Sequence, residues 1–202
     1  MLNHSLELEN VNYEDYIFKS LFNYRLWNIQ SQGLPDSLWK YKIIIWHQGL
    51  QKSNTFPKEA QNKITDYLNQ GGNLLICSQN LAYDLSVNGN TTDSLFLVNH
   101  LGVNFIADVA NEEIAIGIVG DPITNGLAIS FNGPYGENSQ SSRDVINPAS
   151  SAVSIFKYIG TQNSAGTRLY HEDTGAKVVF LAFGLEGIAA PLENSAYILL
   201  SN

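Results

Sequence analysis

Tyr41-Lys42-Ile43-Ile44-Ile45-Trp46 and, after a helical interval, Leu74-Leu75-Ile76-Cys77 are the stretches on which the fold reading turns. Both are apolar at consecutive positions, where a strand with one wet face would alternate. The three successive isoleucines of the first also favour extended backbone. Each therefore reads as a central strand covered on both faces, as in a parallel sheet flanked by helices. Between them, Pro57 opens a helix that carries Ala60, Ile64, Tyr67 and Leu68 on one stripe, and Gly71-Gly72 supply the left-handed stop. Two buried strands joined by a helix make a right-handed crossover, which places the loops after both strands on one edge of the sheet. Ligands bind at that edge in open α/β folds. Residues 46–50 and 78–84 thus hold the candidate ligand-binding side chains His47, Gln48, Gln79, Asn80 and Asp84.

Working outward, Asn12 can cap a helix through Tyr13, Tyr16, Ile17, Leu21 and Phe22, followed by a short strand pattern at 24–27 and a turn cluster at Gly33, Pro35, Asp36 and Ser37. Downstream, a helix is expected over 93–101, with strand-like pieces at 103–106, 114–119 and 128–131. A long loop is expected over 132–151. A strand at 153–159 and a hairpin over 168–183 follow, the latter ending in a second buried run, Val178 to Phe183. A helix-like segment at 192–200 stops without a cap. These elements predict an α/β class with a mostly parallel central sheet, helices on both faces, and a β-rich elaboration in the second half. Residues 1–202 read as a single domain, a fragment of a longer protein.

A chain of 202 residues with 44% hydrophobic content can bury a substantial core. Only 15% of residues are charged, so its polarity rests on Asn, Ser, Gln and Thr, a mix common in exported proteins. The net charge of -8, with eleven scattered basic residues, opposes phosphate backbones and argues against nucleic acid. No stretch approaches the roughly 18 apolar residues of a membrane span, and the first ten residues lack the pattern of a signal peptide. If the protein is exported, these residues belong to something longer.

Cys77 is the single cysteine, so it has no intrachain disulfide partner. It ends a buried strand, where a nucleophile elbow would present a side chain, but the small residues an elbow needs two positions away on either side are replaced by Leu75 and Gln79. A small buried hydrophobe is the alternative. The histidines, His4, His47, His100 and His171, have no close spacing, so no metal site is predicted. The glycine pairs make no phosphate cradle, and no cofactor is implied. Asp84, early in a helix, can bind a ligand or simply complement the dipole. His171-Glu172-Asp173 borders a hairpin turn. Trp27, Trp39 and Tyr135 offer stacking surfaces for sugars.

Residues 41–84, together with Arg168-Leu-Tyr-His and Val179-Phe-Leu-Ala-Phe-Gly-Leu-Glu-Gly-Ile, resemble a glutamine-amidotransferase-like (flavodoxin-like) domain of large secreted bacterial proteins. The resemblance implies a degenerate catalytic site. Cys77 stands near the nucleophile's position without the flanking glycines, and Glu186 stands nearest the position of the expected base. The catalytic candidates are accordingly Cys77, His47, His171 and Glu186. The function expected is a non-catalytic accessory or interaction domain of a secreted or cell-surface protein, its partners being other domains of the same polypeptide or a small ligand. The alternatives are a cysteine-dependent hydrolase or amidotransferase-like enzyme using Cys77, and a carbohydrate-binding module.

Overall fold

The computed structural model describes residues 2–3, 25–133 and 138–189. The helices expected over 12–22 and 192–200, and Tyr135, lie outside them. Five short strands occupy the described residues up to the middle of the chain: β1 (Leu2–Asn3), β2 (Trp27–Asn28), β3 (Ile43–His47), β4 (Asn73–Cys77) and β5 (Val103–Ala107). Six more follow: β6 (Ile114–Gly117), β7 (Ala128–Ser130), β8 (Val145–Pro148), β9 (Val153–Tyr158), β10 (Ser164–Tyr170) and β11 (Lys177–Leu181). The α-helices are α1 (Ile29–Gln32), α2 (Lys58–Asn69), α3 (Leu81–Tyr83) and α4 (Thr91–His100).

The crossover expected from the two isoleucine- and leucine-rich runs is present. β3 and β4 pair in parallel from Ile43 opposite Asn73 to His47 opposite Cys77, with α2 between them in sequence. Helix α2 buries Ala60, Ile64, Tyr67 and Leu68 and is followed by Gly71 at φ 82°. Gly72 is fixed by packing: a Cβ there would come within 2.3 Å of the Tyr67 ring, whose hydroxyl donates to the Tyr41 carbonyl.

The sheet as a whole departs from the expectation. Its order is β2-β1-β3-β4-β11-β10-β9-β6-β7, with β8 pairing both β5 and β10. The ladders from β2 to β11 are parallel, and those from β11 through β10, β9 and β6 to β7 are antiparallel. The result is a mixed, curled, mostly β half-barrel with four α-helices among the described residues, and the mostly parallel flavodoxin-like sheet with helices on both faces is corrected. The physical reason is visible in the two cores. On one face, Ile44, Trp46, Leu74, Ile76, Val178 and Phe180 pack against residues of α2 and α4. On the other, Cys77 and Leu181 pack against strand residues such as Ala115, Ile129, Ile155, Phe156 and Ala165. The curl of the antiparallel half supplies the second cover that crossover helices were expected to supply.

Smaller corrections follow from the same curl. The expected loop over 132–151 contains β8, which pairs with β5 and β10. The hairpin over 168–183 forms, with Gly166 opposite Leu181 at its far end. In the core on the helical face, Trp46 meets Phe56 edge-on at 4.4 Å between centroids, and Phe56 stacks on Phe96 at 5.5 Å. Burying each such ring contributes about 1.5–3 kcal/mol.

Candidate functional site

The parallel register decides what lies at the C-terminal edge of β3, β4 and β11. His47 is the register partner of Cys77, and Leu181 is the partner of Cys77 on the other side. Side chains alternate along a strand, so His47 and Cys77 project to the same face. Cys77 Sγ lies 3.6 Å from His47 Nδ1 and 3.5 Å from the Trp46 carbonyl oxygen. Beyond β11 the chain passes through Gly184 into a single 3₁₀ turn, Leu185–Gly187, which brings Glu186 Oε2 within 3.4 Å of the same Nδ1. Three of the four catalytic candidates therefore meet. His171 is elsewhere: it follows β10 at the opposite end of the sheet, and its Nε2 lies 3.2 Å from the His100 carbonyl oxygen.

The carboxylate of Glu186 is held from below by a side chain that sequence reasoning missed. Gln140 Nε2 donates to Glu186 Oε1 at 2.9 Å, while Gln140 Oε1 accepts from the Gly184 amide at 2.7 Å. A Cβ on Gly184 would fall 2.1 Å from Glu186 Oε1, and one on Gly187 would fall 1.9 Å from Gln140 Cγ. The spacing Gly184-Leu-Glu-Gly187 was the available signal, because paired glycines mark close approach of other groups to the backbone. Gln140 itself stands in a polar, Gly- and Ser-rich stretch with nothing to single it out.

The segment around Gln140 is strapped across the strand ends. Gln79 donates its amide to the Ser139 carbonyl and accepts from the Ser142 amide, at 3.1 and 3.0 Å. Ser142 Oγ donates to Asn80 Oδ1 at 2.6 Å, and Asp144 Oδ2 accepts from the Tyr83 amide. Arg143 is buried within this strap, its guanidinium donating to the carbonyls of Gln140, Ala110 and Glu112 and lying over the Phe131 ring. Gln79 and Asn80, expected to bind a ligand, are thus committed to intrachain bonds. Gln48 is wholly buried beside His47. Asp84 is separate: its Oδ2 accepts from the Thr55 amide and hydroxyl, at 2.7 and 2.8 Å.

Cys77 and His47 have 0% exposure. Burial pushes the Cys77 thiol above its ordinary value, and the His47 contact pulls it only partly back. A nucleophile and the group that orients its base occupy opposite ring nitrogens in a working relay. Here Cys77 and Glu186 approach the same nitrogen. The Cys77 thiol, the His47 ring and the Glu186 carboxylate form a buried polar knot. Among the described residues, no group of three His, Cys, Asp or Glu side chains can hold a metal ion, and no helix is long and apolar enough to cross a membrane. Of the aromatic candidates, Trp27 donates to the Gly33 carbonyl and is covered by Arg25 at 4.7 Å, while Trp39 is exposed.

No family model and no curated protein matches this chain. Its fold is similar to that of the IFT52 N-terminal domain. That similarity has a TM-score of 0.63 at 13% identity, covering 99% of this chain and 92% of that one. A cold-adapted β-galactosidase from Rahnella sp. R3 matches with a TM-score of 0.59 at 14% identity, over 99% of this chain and 30% of that one. Gan42B, a GH42 β-galactosidase, matches with a TM-score of 0.53 at 11% identity, over 89% of this chain and 27% of that one. These likenesses concern the fold. With the curled mixed sheet, they overturn the resemblance to a glutamine-amidotransferase-like, flavodoxin-like domain.

Proposed function

We propose that this chain is a non-catalytic accessory domain that acts through contacts with other parts of a longer polypeptide. The observation that carries this reading is the sharing of His47 Nδ1 by Cys77 and Glu186 in a site where the thiol has no exposed surface. A thiol raised by burial, and held against the Trp46 carbonyl and the His47 ring, suits holding strands together better than attacking a substrate. The two β-galactosidases lend support of a different kind, because the matched part is less than a third of each of their chains. A fold found within longer enzymes suits a module. A secreted or cell-surface setting rests on the low charged fraction of 15%, and a signal peptide upstream in the reading frame is its test.

The 3.6 Å contact of Cys77 with His47, with the Glu186 carboxylate on the same ring, is also what a cysteine hydrolase would share. Iodoacetamide separates the two readings. Native protein should be alkylated at Cys77 more slowly than urea-denatured protein, at every pH up to the mildly alkaline. Rapid native alkylation at mildly acidic pH, abolished by His47→Gln, would establish an activated thiol and overturn the non-catalytic reading.

A further inference from the structure

Asp84 reaches a second feature, away from the buried knot. It lines a crevice of about 550 Å³ between the 53–58 loop, the turn after α3 and the start of α4. That volume suits a small ligand. We infer that this crevice is a binding site for a neutral polyhydroxylated ligand of saccharide class, recognised by Asn54, Lys58, Asp84 and Asn88. The inference stands whether or not Cys77 is inert.

The wall of the crevice is built in unusual backbone. Residues Asp84–Asn88 form a π-helical turn, closed by the Gly89 amide donating to the Asp84 carbonyl at 2.8 Å. Such turns are rare and concentrate at functional sites. This one sets Asn88 Nδ2 3.1 Å from Asp84 Oδ1, so both side chains reach the cavity as a pair. Across from them, Asn54 holds a left-handed φ of 51°, and the Gln51 carboxamide braces its loop by donating to the Ser53 and Asn54 carbonyls, each at 3.0 Å. Lys58 is tethered by Thr92 Oγ1 at 3.0 Å and Gln61 Oε1 at 3.2 Å. Groups held before a ligand arrives cost less to order on binding.

The chemistry of the lining selects the ligand. Carboxamides offer a donor and an acceptor each, as a sugar hydroxyl does, so the two match in both directions. The Lys58 ammonium is offset by Asp93 at 3.8 Å, which leaves the Asp84 carboxylate to oppose an anionic ligand. A metal cation would want three acidic or imidazole ligands, which the described residues do not gather. An apolar ligand would strand the polar rim without hydrogen bonds.

Titrating the full chain with galactose, glucose and N-acetylglucosamine, followed by amide NMR, tests the site. At least one sugar should give saturable shifts at millimolar concentration centred on Asn54, Thr55 and Asn88. Asn88→Ala and Lys58→Met, both exposed positions whose variants keep the native amide spectrum, should each weaken binding about tenfold. Absence of shifts with all three sugars, shifts centred elsewhere such as Trp39, or undiminished binding in both variants would overturn the proposal.

Discussion

His47 and Cys77 are register partners on adjacent parallel strands, and their side chains meet at 3.6 Å on the face where the sheet curls over itself. The thiol owes its position to strand pairing, and it has no exposed surface. Because burial raises its proton affinity in the fold, the folded protein keeps the proton after the unfolded chain has lost it. Stability contributed by this group is fully present below the unfolded thiol value and falls as pH rises above it. Urea unfolding of the parent should therefore weaken through the alkaline range more steeply than that of Cys77→Ala. Parallel pH profiles for the two proteins would contradict this.

Gly184 tests the cradle beneath Glu186. Its φ of -80° suits any residue, so the effect of a side chain there is steric alone. Gly184→Ala should drive the Glu186 carboxylate away from His47 and Gln140 and cost about 1–3 kcal/mol, the usual range for overpacking. The His47 ring resonances should shift with it. An unchanged denaturation midpoint would show that the carboxylate is not seated as described.

Asp144 is wholly buried, and that burial holds its carboxyl well above the ordinary range, the Tyr83 amide pulling the other way and nearby Asp108 adding to the rise. The fold therefore retains a proton that the unfolded chain releases from about pH 4 upward. Parental stability should fall across that window relative to Asp144→Asn, whose carboxamide does not titrate. The difference between the two, read by urea unfolding at stepped pH, should grow in favour of the variant as pH rises. A constant difference would place the carboxylate in its ionised form.

Gln48 has no exposed surface, and neither polar atom of its carboxamide finds a hydrogen-bond partner among the described residues. Replacing it by an apolar side chain of similar length removes a desolvation cost without opening a cavity. Gln48→Met should raise stability by about 1 kcal/mol in thermal or urea unfolding. A loss of stability would mean that the carboxamide is satisfied in solution.

The crossover from Ile43 to Cys77 was legible because its signals are local: consecutive apolar residues, a striped helix and a glycine stop. The cover on its second face was not. Ile45, Leu75 and Val179 announce that something packs against them, but Ala165, Phe156 and Ile129 of a curling sheet satisfy that demand as well as a helix would. The meeting of Cys77 with His47 followed from strand register, which a sequence separation of 30 does not reveal. Gln140 was hidden for a plainer reason, since a strap residue carries no periodicity. Asp84 was marked for its place at the edge, yet its partners Thr55 and Asn88 emerge only once the loop and the π turn are folded.

The order of the strands has a consequence for how the molecule is made. Strand β11 lies between β4 and β10, and Leu74 waits for Val178, more than a hundred residues later, as its neighbour. A nascent chain leaving the ribosome presents the parallel half with an open edge at β4 until residues 177–181 emerge. Closure of the sheet therefore waits for those residues, and during that interval β4 is exposed to pairing with other chains.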